Sequence, residues 1–237
     1  MADISVVPVG QLELGYAPRI WPFAEQRRAE IDSHFAHMQE RHPGMWNGRV
    51  LLMHEHEMAG EVLRGSFFET DYASFTAWRA WGAPDPTTVN CFAAAAMRTS
   101  DGAFLVGVMA EHTANAGSVY FPCGTPEPAD VVGGAVDLEG NIWRELAEET
   151  DLQPSAFDAE PGWRAVVAMP YLALIKCVRA REKADALRNR ILRFLEGQVR
   201  PELSDIRVVR GPADLDPKMP AFVRAYLADQ WALAGRA

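Results

Sequence analysis

Arg144-Glu145-Leu146-Ala147-Glu148-Glu149-Thr150-Asp151-Leu152 is the stretch from which a fold can be read. On a helix, positions i, i+3 and i+4 share a face, so Glu145, Glu148 and Glu149 bring three carboxylates together. Like charges at that spacing repel, and the arrangement is costly unless a cation lies among them. A hard, oxygen-seeking ion such as Mg²⁺ or Mn²⁺ is the natural answer. Arg144 stands four residues before Glu148 and is placed to pair with it, fixing one carboxylate. Upstream, Leu138, Ile142 and Leu146 recur every four residues and give the same helix an apolar side, with Asp137 as its N-cap. A Glu-rich face is more commonly just solvated, so charge spacing alone leaves both readings open.

The flanks predict what this helix packs against. Before it, two apolar runs (89–97 and 103–109) surround Thr99-Ser100-Asp101-Gly102 and read as a hairpin. A short strand within Ser118-Val119-Tyr120-Phe121, the sharp turn Phe121-Pro122-Cys123-Gly124 and a Gly-Gly break at 133–134 follow. After it come a strand-like run at 165–178, a helix at 180–196, a strand at 206–209 and a last helix at 220–233. The first 20 residues, punctuated by Pro and Gly, read as extended. A helix is predicted over 22–41, with Phe23, Ile31, Phe35 and Met38 on one face, then strands at 49–58 and 65–72 and a helix at 72–81. Gly-Ala-Pro-Asp-Pro-Thr-Thr at 82–88 is the natural linker. The order predicts an α+β protein: an N-terminal α+β extension over 1–88 and a second domain over 89–237 with helices on a mixed sheet.

The stretch from Arg144 to Leu152 resembles the second half of the Nudix box, Arg-Glu-aliphatic-x-Glu-Glu-x-Gly-aliphatic, and departs only at Asp151, where that family has Gly. A hairpin followed by Phe121-Pro122-Cys123-Gly124 and then Glu127-Pro128 is similar to the family's approach to its helix, so the resemblance spans about 89–178. It implies a Nudix-type α/β/α sandwich. The first half of the box departs: counting back from Arg144, the family's Glu falls on Val136 and its first Gly on Asp130. The loop is therefore rebuilt, and Glu127, Asp130 or Glu139 can replace the outer carboxylate only along a different path. Asp151 must adopt a left-handed conformation, or the helix must end differently.

The same resemblance implies a pyrophosphohydrolase. Its catalytic residues would be Arg144, Glu145, Glu148 and Glu149; Mg²⁺ or Mn²⁺ would be held by the three carboxylates and a backbone carbonyl at Cys123 or Gly124. The substrate implied is a nucleoside diphosphate linked to another moiety, a sugar for instance. The alternative is a Nudix-fold nucleotide-binding or regulatory module without turnover. Glu149, Glu202 and Asp205 are the candidates for general base, and His112 and Glu127 for substrate contact. His54 and His56, two apart on an expected strand, read as a half-exposed pair sooner than as metal ligands. Trp46, Tyr72, Trp78 and Trp81 could stack a base, but in a two-layer fold most such rings are core.

Composition narrows the classes. A net charge of −9 argues against nucleic acid or an anionic membrane surface as partner. Three dispersed cysteines give neither a disulfide framework nor a zinc spacing, which fits a reducing cytoplasm. The amino terminus lacks the basic start and apolar core of a signal peptide, and no apolar run reaches a membrane span of roughly 18 residues. A soluble cytoplasmic protein is expected, with a homodimer among the oligomeric options.

Overall fold

The computed structural model describes residues 4–235; positions 1–3 of the expected extended segment and 236–237 of the expected second domain lie outside the described residues. The chain opens with β1 (Ser5–Val9) and β2 (Gln11–Tyr16), α1 (Pro22–Gln26) and α2 (Arg28–Arg41). The hairpin β3 (Arg49–Ala59) and β4 (Val62–Asp71) follows, then α3 (Tyr72–Ala80). Next come β5 (Asn90–Arg98), β6 (Phe104–Met109), β7 (Val119–Tyr120), β8 (Cys123–Gly124), β9 (Val131–Val132) and β10 (Ala135–Val136), leading into α4 (Leu138–Thr150). The remainder is β11 (Phe157–Ala159), β12 (Trp163–Ala168), β13 (Tyr171–Ala180), α5 (Ala184–Glu196), β14 (Leu203–Val209) and α6 (Ala221–Ala234).

These strands form two mixed sheets. The larger runs β1-β12-β13-β5-β6-β14, with β7, β8 and β11 paired to β6, β5 and β13; the smaller runs β3-β4-β2-β10-β9. The pairs β13–β5 and β2–β4 are parallel. With its helices this is the mixed α+β architecture expected. The alternation of β3 shows how the layers stack: Leu51 and Met53 enter the large core, while Val50 and Leu52 face a second core under α1, α2 and α3. Side chains of a strand point alternately to its two faces, so β3 serves both cores. Backbone hydrogen bonds join the layers, from Leu51 to the Pro126 carbonyl (2.7 Å) and in both directions between Met53 and Val89 (3.0 and 2.7 Å).

Several expectations are corrected. The helix expected over 22–41 is two, interrupted at Arg27. The run expected as one strand over 165–178 is the antiparallel pair β12 and β13, folded back at Met169-Pro170 because Pro cannot continue the ladder. The helix placed at 180–196 begins only at Ala184. In the expected linker, 82–88, Asp85 accepts from the Trp21 indole (2.8 Å), the Thr87 amide (2.9 Å) and the Thr88 hydroxyl (2.9 Å). Strand pairing crosses the expected boundary at 88/89 both ways, since β1 joins the large sheet against β12 and the β9–β10 hairpin joins the small sheet at Gly15. Among the described residues no helix is long and apolar enough to cross a membrane.

α4 is where the expected boundaries hold at both ends. Asp137 accepts from the Gly140 amide (2.8 Å), satisfying a donor that helix geometry leaves free at the start. Leu138, Ile142 and Leu146 are at most 1% exposed, each contributing about 1.5–3 kcal/mol by burial. Asp151 ends the helix in the left-handed region, φ 57°. That conformation strains a residue with a Cβ by about 1–2 kcal/mol. Asp151→Gly should therefore leave stability unchanged or raise it by up to about 1 kcal/mol, and Asp151→Val should lower it by about 1–2 kcal/mol. Urea denaturation of the two variants checks this; equal midpoints for Gly and Val would contradict it.

Candidate active site

Because the apolar side of α4 is locked into the core, its other side is fixed against the Cys123–Gly124 turn. β8 pairs there with β5, Gly124 opposite Ala93 and Cys123 opposite Ala94. Glu145 lies directly on Gly124: a Cβ at that position would stand 2.3 Å from the Glu145 carboxyl carbon, so only glycine admits the carboxylate. Glu149 lies deeper, 4% exposed, with the Cys123 backbone amide donating to it and Oε2 buried without a hydrogen-bond partner. Glu148 turns outward, its side chain 61% exposed.

Arg144 organises the acids around this helix. It approaches Glu145 at 2.8 Å, Asp130 at 3.3 Å, Glu148 at 3.6 Å and Glu127 at 3.9 Å. The expected i,i+4 pair with Glu148 is present, but the tightest partner of Arg144 is Glu145. The rebuilt loop explains how Glu127 and Asp130 arrive. Residues 131–136 leave as the β9–β10 hairpin, closed by Gly133 and Gly134 at φ 60° and 84° as a two-residue turn requires. Asp130, 6% exposed, stays behind and accepts from the Glu127 amide (2.9 Å) and the Asn141 side chain (3.0 Å). Val136 is buried at 5%, and Glu139 pairs instead with Lys176 (3.5 Å).

Burial sets the electrostatics. It pushes the Glu145 carboxyl up to about 7; Arg144 opposes this, and Glu148, Glu202 and Asp130 add to it. Burial, then the charges of Glu202 and Glu145, holds Glu149 well above the usual carboxylate range. Glu202 is raised as well, by burial and then Glu148, with His112 pulling the other way. Of the three base candidates, Glu149 and Glu202 therefore belong to one cluster. Asp205 does not: it is held by Arg188 (2.8 Å).

The other candidates divide. His112, Glu127 and Glu202 line one cavity of about 770 Å³ between the loop 42–50 and the loops 109–115 and 127–129, with Arg49 and Arg200 on its walls. Trp46 stands at this cavity 76% exposed, while Trp78 is core. His54 and His56 do not act as a pair, because the β3–β4 register shifts between Met53 and Glu55: His54 packs edge-on to Phe68 and His56 is exposed. Burial pushes the Cys123 thiol well above its ordinary range, away from a nucleophile's role. Sequence reasoning missed Asn141 and Arg49, and read Arg200 with the other cations of 180–200 as a solvated face sooner than an anion contact. Asn141 carried a signal, a polar residue poor in helix propensity one position before Ile142.

The donors suit a hard divalent cation: carboxylate oxygens only, one of them buried and partnerless, beside the carbonyls of a tight turn. The expected triad is not closed, however. Among the described residues no group of three or more His, Cys, Asp or Glu side chains is gathered at metal-holding distance. Arg144 occupies Glu145, and Glu148 faces solvent.

No protein-family model matches the chain, and no curated protein matches it. Among solved structures it is similar to a Nudix hydrolase from M. smegmatis, RenU (13% identity, 62% of this chain and 84% of that one, TM-score 0.40). It is similar also to the MutT protein of Methanosarcina mazei Go1 (15%, 63% and 96%, TM-score 0.40). A third is the NUDIX domain of Shewanella oneidensis NrtR, complexed with ADP ribose (16%, 68% and 98%, TM-score 0.39). At these values the assignment rests on the chain's own residues.

The raised Glu145 carboxyl makes a pH prediction. Its folded value of about 7 lies above the ordinary 4.5, so the folded state holds the proton more tightly. The stability this contributes is complete below pH 4.5 and is lost as pH rises through 7. In metal-free protein Glu145→Gln should match wild type near pH 4 and exceed it above pH 7 by up to about 3 kcal/mol. Denaturation at the two pH values decides; a wild type that remains the more stable at high pH would contradict the burial of this group.

Proposed function

We propose that this chain is a divalent-metal-dependent hydrolase of the Nudix type, cleaving the phosphoanhydride bond of a nucleoside diphosphate linked to a further group such as a sugar. The observation that carries this reading is Glu145 seated on the Gly124 turn, with the buried and unpartnered Glu149 on the same helix and Glu202 lining a cavity with cationic walls; burial pushes all three carboxyls up. Such perturbation is expensive for folding and is characteristic of sites that handle protons or metals.

Each residue then has a role. Glu145 and Glu149, with Glu148 swinging in from solvent and the Gly124 carbonyl, would hold Mg²⁺ or Mn²⁺. When bound, that ion supplies neutralisation of the diphosphate and acidification of a water. Arg144 keeps Glu145 on Gly124 and is itself kept in place by Asp130. Glu202 takes the proton of the attacking water as its oxygen bonds to phosphorus and the bridging P–O bond breaks, the electron pair leaving with the second phosphate. His112, Glu127, Arg49 and Arg200 line the approach, the cations facing phosphate oxygens and Trp46 offering a face for stacking.

A second reading is a nucleotide-binding or regulatory module without turnover. The open arrangement of the three helix carboxylates favours it.

Turnover of a panel of nucleotide sugars, dinucleoside polyphosphates and nucleoside triphosphates with Mg²⁺ or Mn²⁺, followed as monophosphate release, separates the two. The hydrolase reading expects activity on a two-ended diphosphate, abolished by chelator and reduced about a hundredfold or more by Glu149→Gln. Nucleotide binding without release of product would instead select the second reading. Glu202→Gln should lower kcat with little change in KM and remove the acidic limb of the pH profile. An unchanged profile would take Glu202 out of the mechanism.

A further inference from the structure

A second cavity, of about 410 Å³, is lined in part by the Cys123–Gly124 turn and is not used by the chemistry above. Asn115 lines both cavities, so the two adjoin there. At the far end of the second lies Asn90, the first residue of β5 and 6% exposed. Its backbone amide donates to the Pro170 carbonyl (2.9 Å), but its side-chain Oδ1 is buried with no hydrogen-bond partner. A buried amide oxygen without a donor is unfavourable in the free protein and is satisfied by a ligand that brings an N–H.

The surroundings specify that ligand's shape. Phe92, two residues along the same strand and so on the same face, forms an edge-to-face pair with Phe222 (centroids 5.3 Å, 85°) at the cavity wall. Tyr171 adds a further ring, and Arg79, at the end of α3, brings a guanidinium that makes no ion pair among the described residues. Asn90 precedes Ala93, the partner of Gly124, by three residues, about 10 Å along the strand. The site thus carries aromatic rings, an acceptor and a cationic donor, and its lining reaches the Cys123–Gly124 turn.

We propose that this cavity is the subsite for the nucleobase of a two-ended diphosphate, with Asn90 as its specificity-determining residue. The enclosed Asn90 carboxamide turns toward the cavity to accept from an exocyclic amino or ring N–H, and Arg79 donates to a ring nitrogen or carbonyl. The ring lies among Phe92, Phe222 and Tyr171, and the other end of the molecule extends past Asn115 into the cavity of His112 and Arg200. The assignment of the two ends rests on the hydrolase reading; the base site itself does not.

Calorimetric titration of the protein with adenosine, guanosine, cytidine and uridine 5′-monophosphates, and with pyrophosphate alone, tests this without requiring turnover. At least one monophosphate should bind, more tightly than the others, and Asn90→Ser and Arg79→Ala should each weaken it about tenfold. Pyrophosphate affinity should stay within about twofold of wild type. Absence of binding by all four monophosphates overturns the proposal, as does preferred-base affinity that survives a folded variant of either residue. Should Asn90→Ser fail to fold, Arg79→Ala decides alone, since that side chain is exposed. A wild type that binds a monophosphate but hydrolyses nothing would sink the hydrolase reading and leave this site standing.

Discussion

Glu149 is a carboxylate held where a carboxylate does not belong. It is 4% exposed, one oxygen has no partner, and three further acids, Glu202, Glu145 and Glu148, bear on it. Escape is blocked because Leu138, Ile142 and Leu146 fix the rotation of α4, while the Cys123–Gly124 turn closes over the opposite side. Water cannot relieve the charge and Arg144 is engaged with Glu145, Asp130, Glu148 and Glu127. Removing such a group from water costs several kcal/mol unless a counter-charge returns it. Burial therefore favours the protonated form of Glu149 in the ion-free protein.

That constraint also explains why the N-terminal layer cannot be treated as a mere appendage. The β9–β10 hairpin carries the rebuilt loop away to the small sheet, leaving Asp130 behind to position Arg144. Strand β3 is hydrogen-bonded to Pro126 and Val89, and the loop that precedes it contributes Trp46 to the cavity that Glu202 lines. The carboxylates stand on one layer and much of the wall that faces them comes from the other. Changes in the loop 42–50 therefore reshape that cavity without touching the acids on α4.

What could be read beforehand follows the locality of the information. The Asp137 cap of α4 is set by residues within a few positions of it and agrees with the structure, and of the two endings open to Asp151 the left-handed one is adopted. Partner choice is not local. β1 and β2 are neighbours in sequence yet join different sheets, and no periodicity distinguishes them. The β12–β13 turn was hidden inside one continuous apolar run. Within the site, the three glutamates were visible by spacing, but their unequal depth was not, because it depends on the turn that packs over them. Asn90 gave no warning: a single polar residue opening a strand looks ordinary until its oxygen proves to be enclosed.

The most direct measurement is the electron paramagnetic resonance signal of free Mn²⁺ during titration of the protein. If the enclosed carboxylates wait for a divalent ion, wild-type protein should remove the free-ion signal up to a fixed stoichiometry, and Glu149→Gln should leave most of it in solution. Equal signals for the two proteins, each folded, would mean that the charge buried on this helix is balanced in some other way.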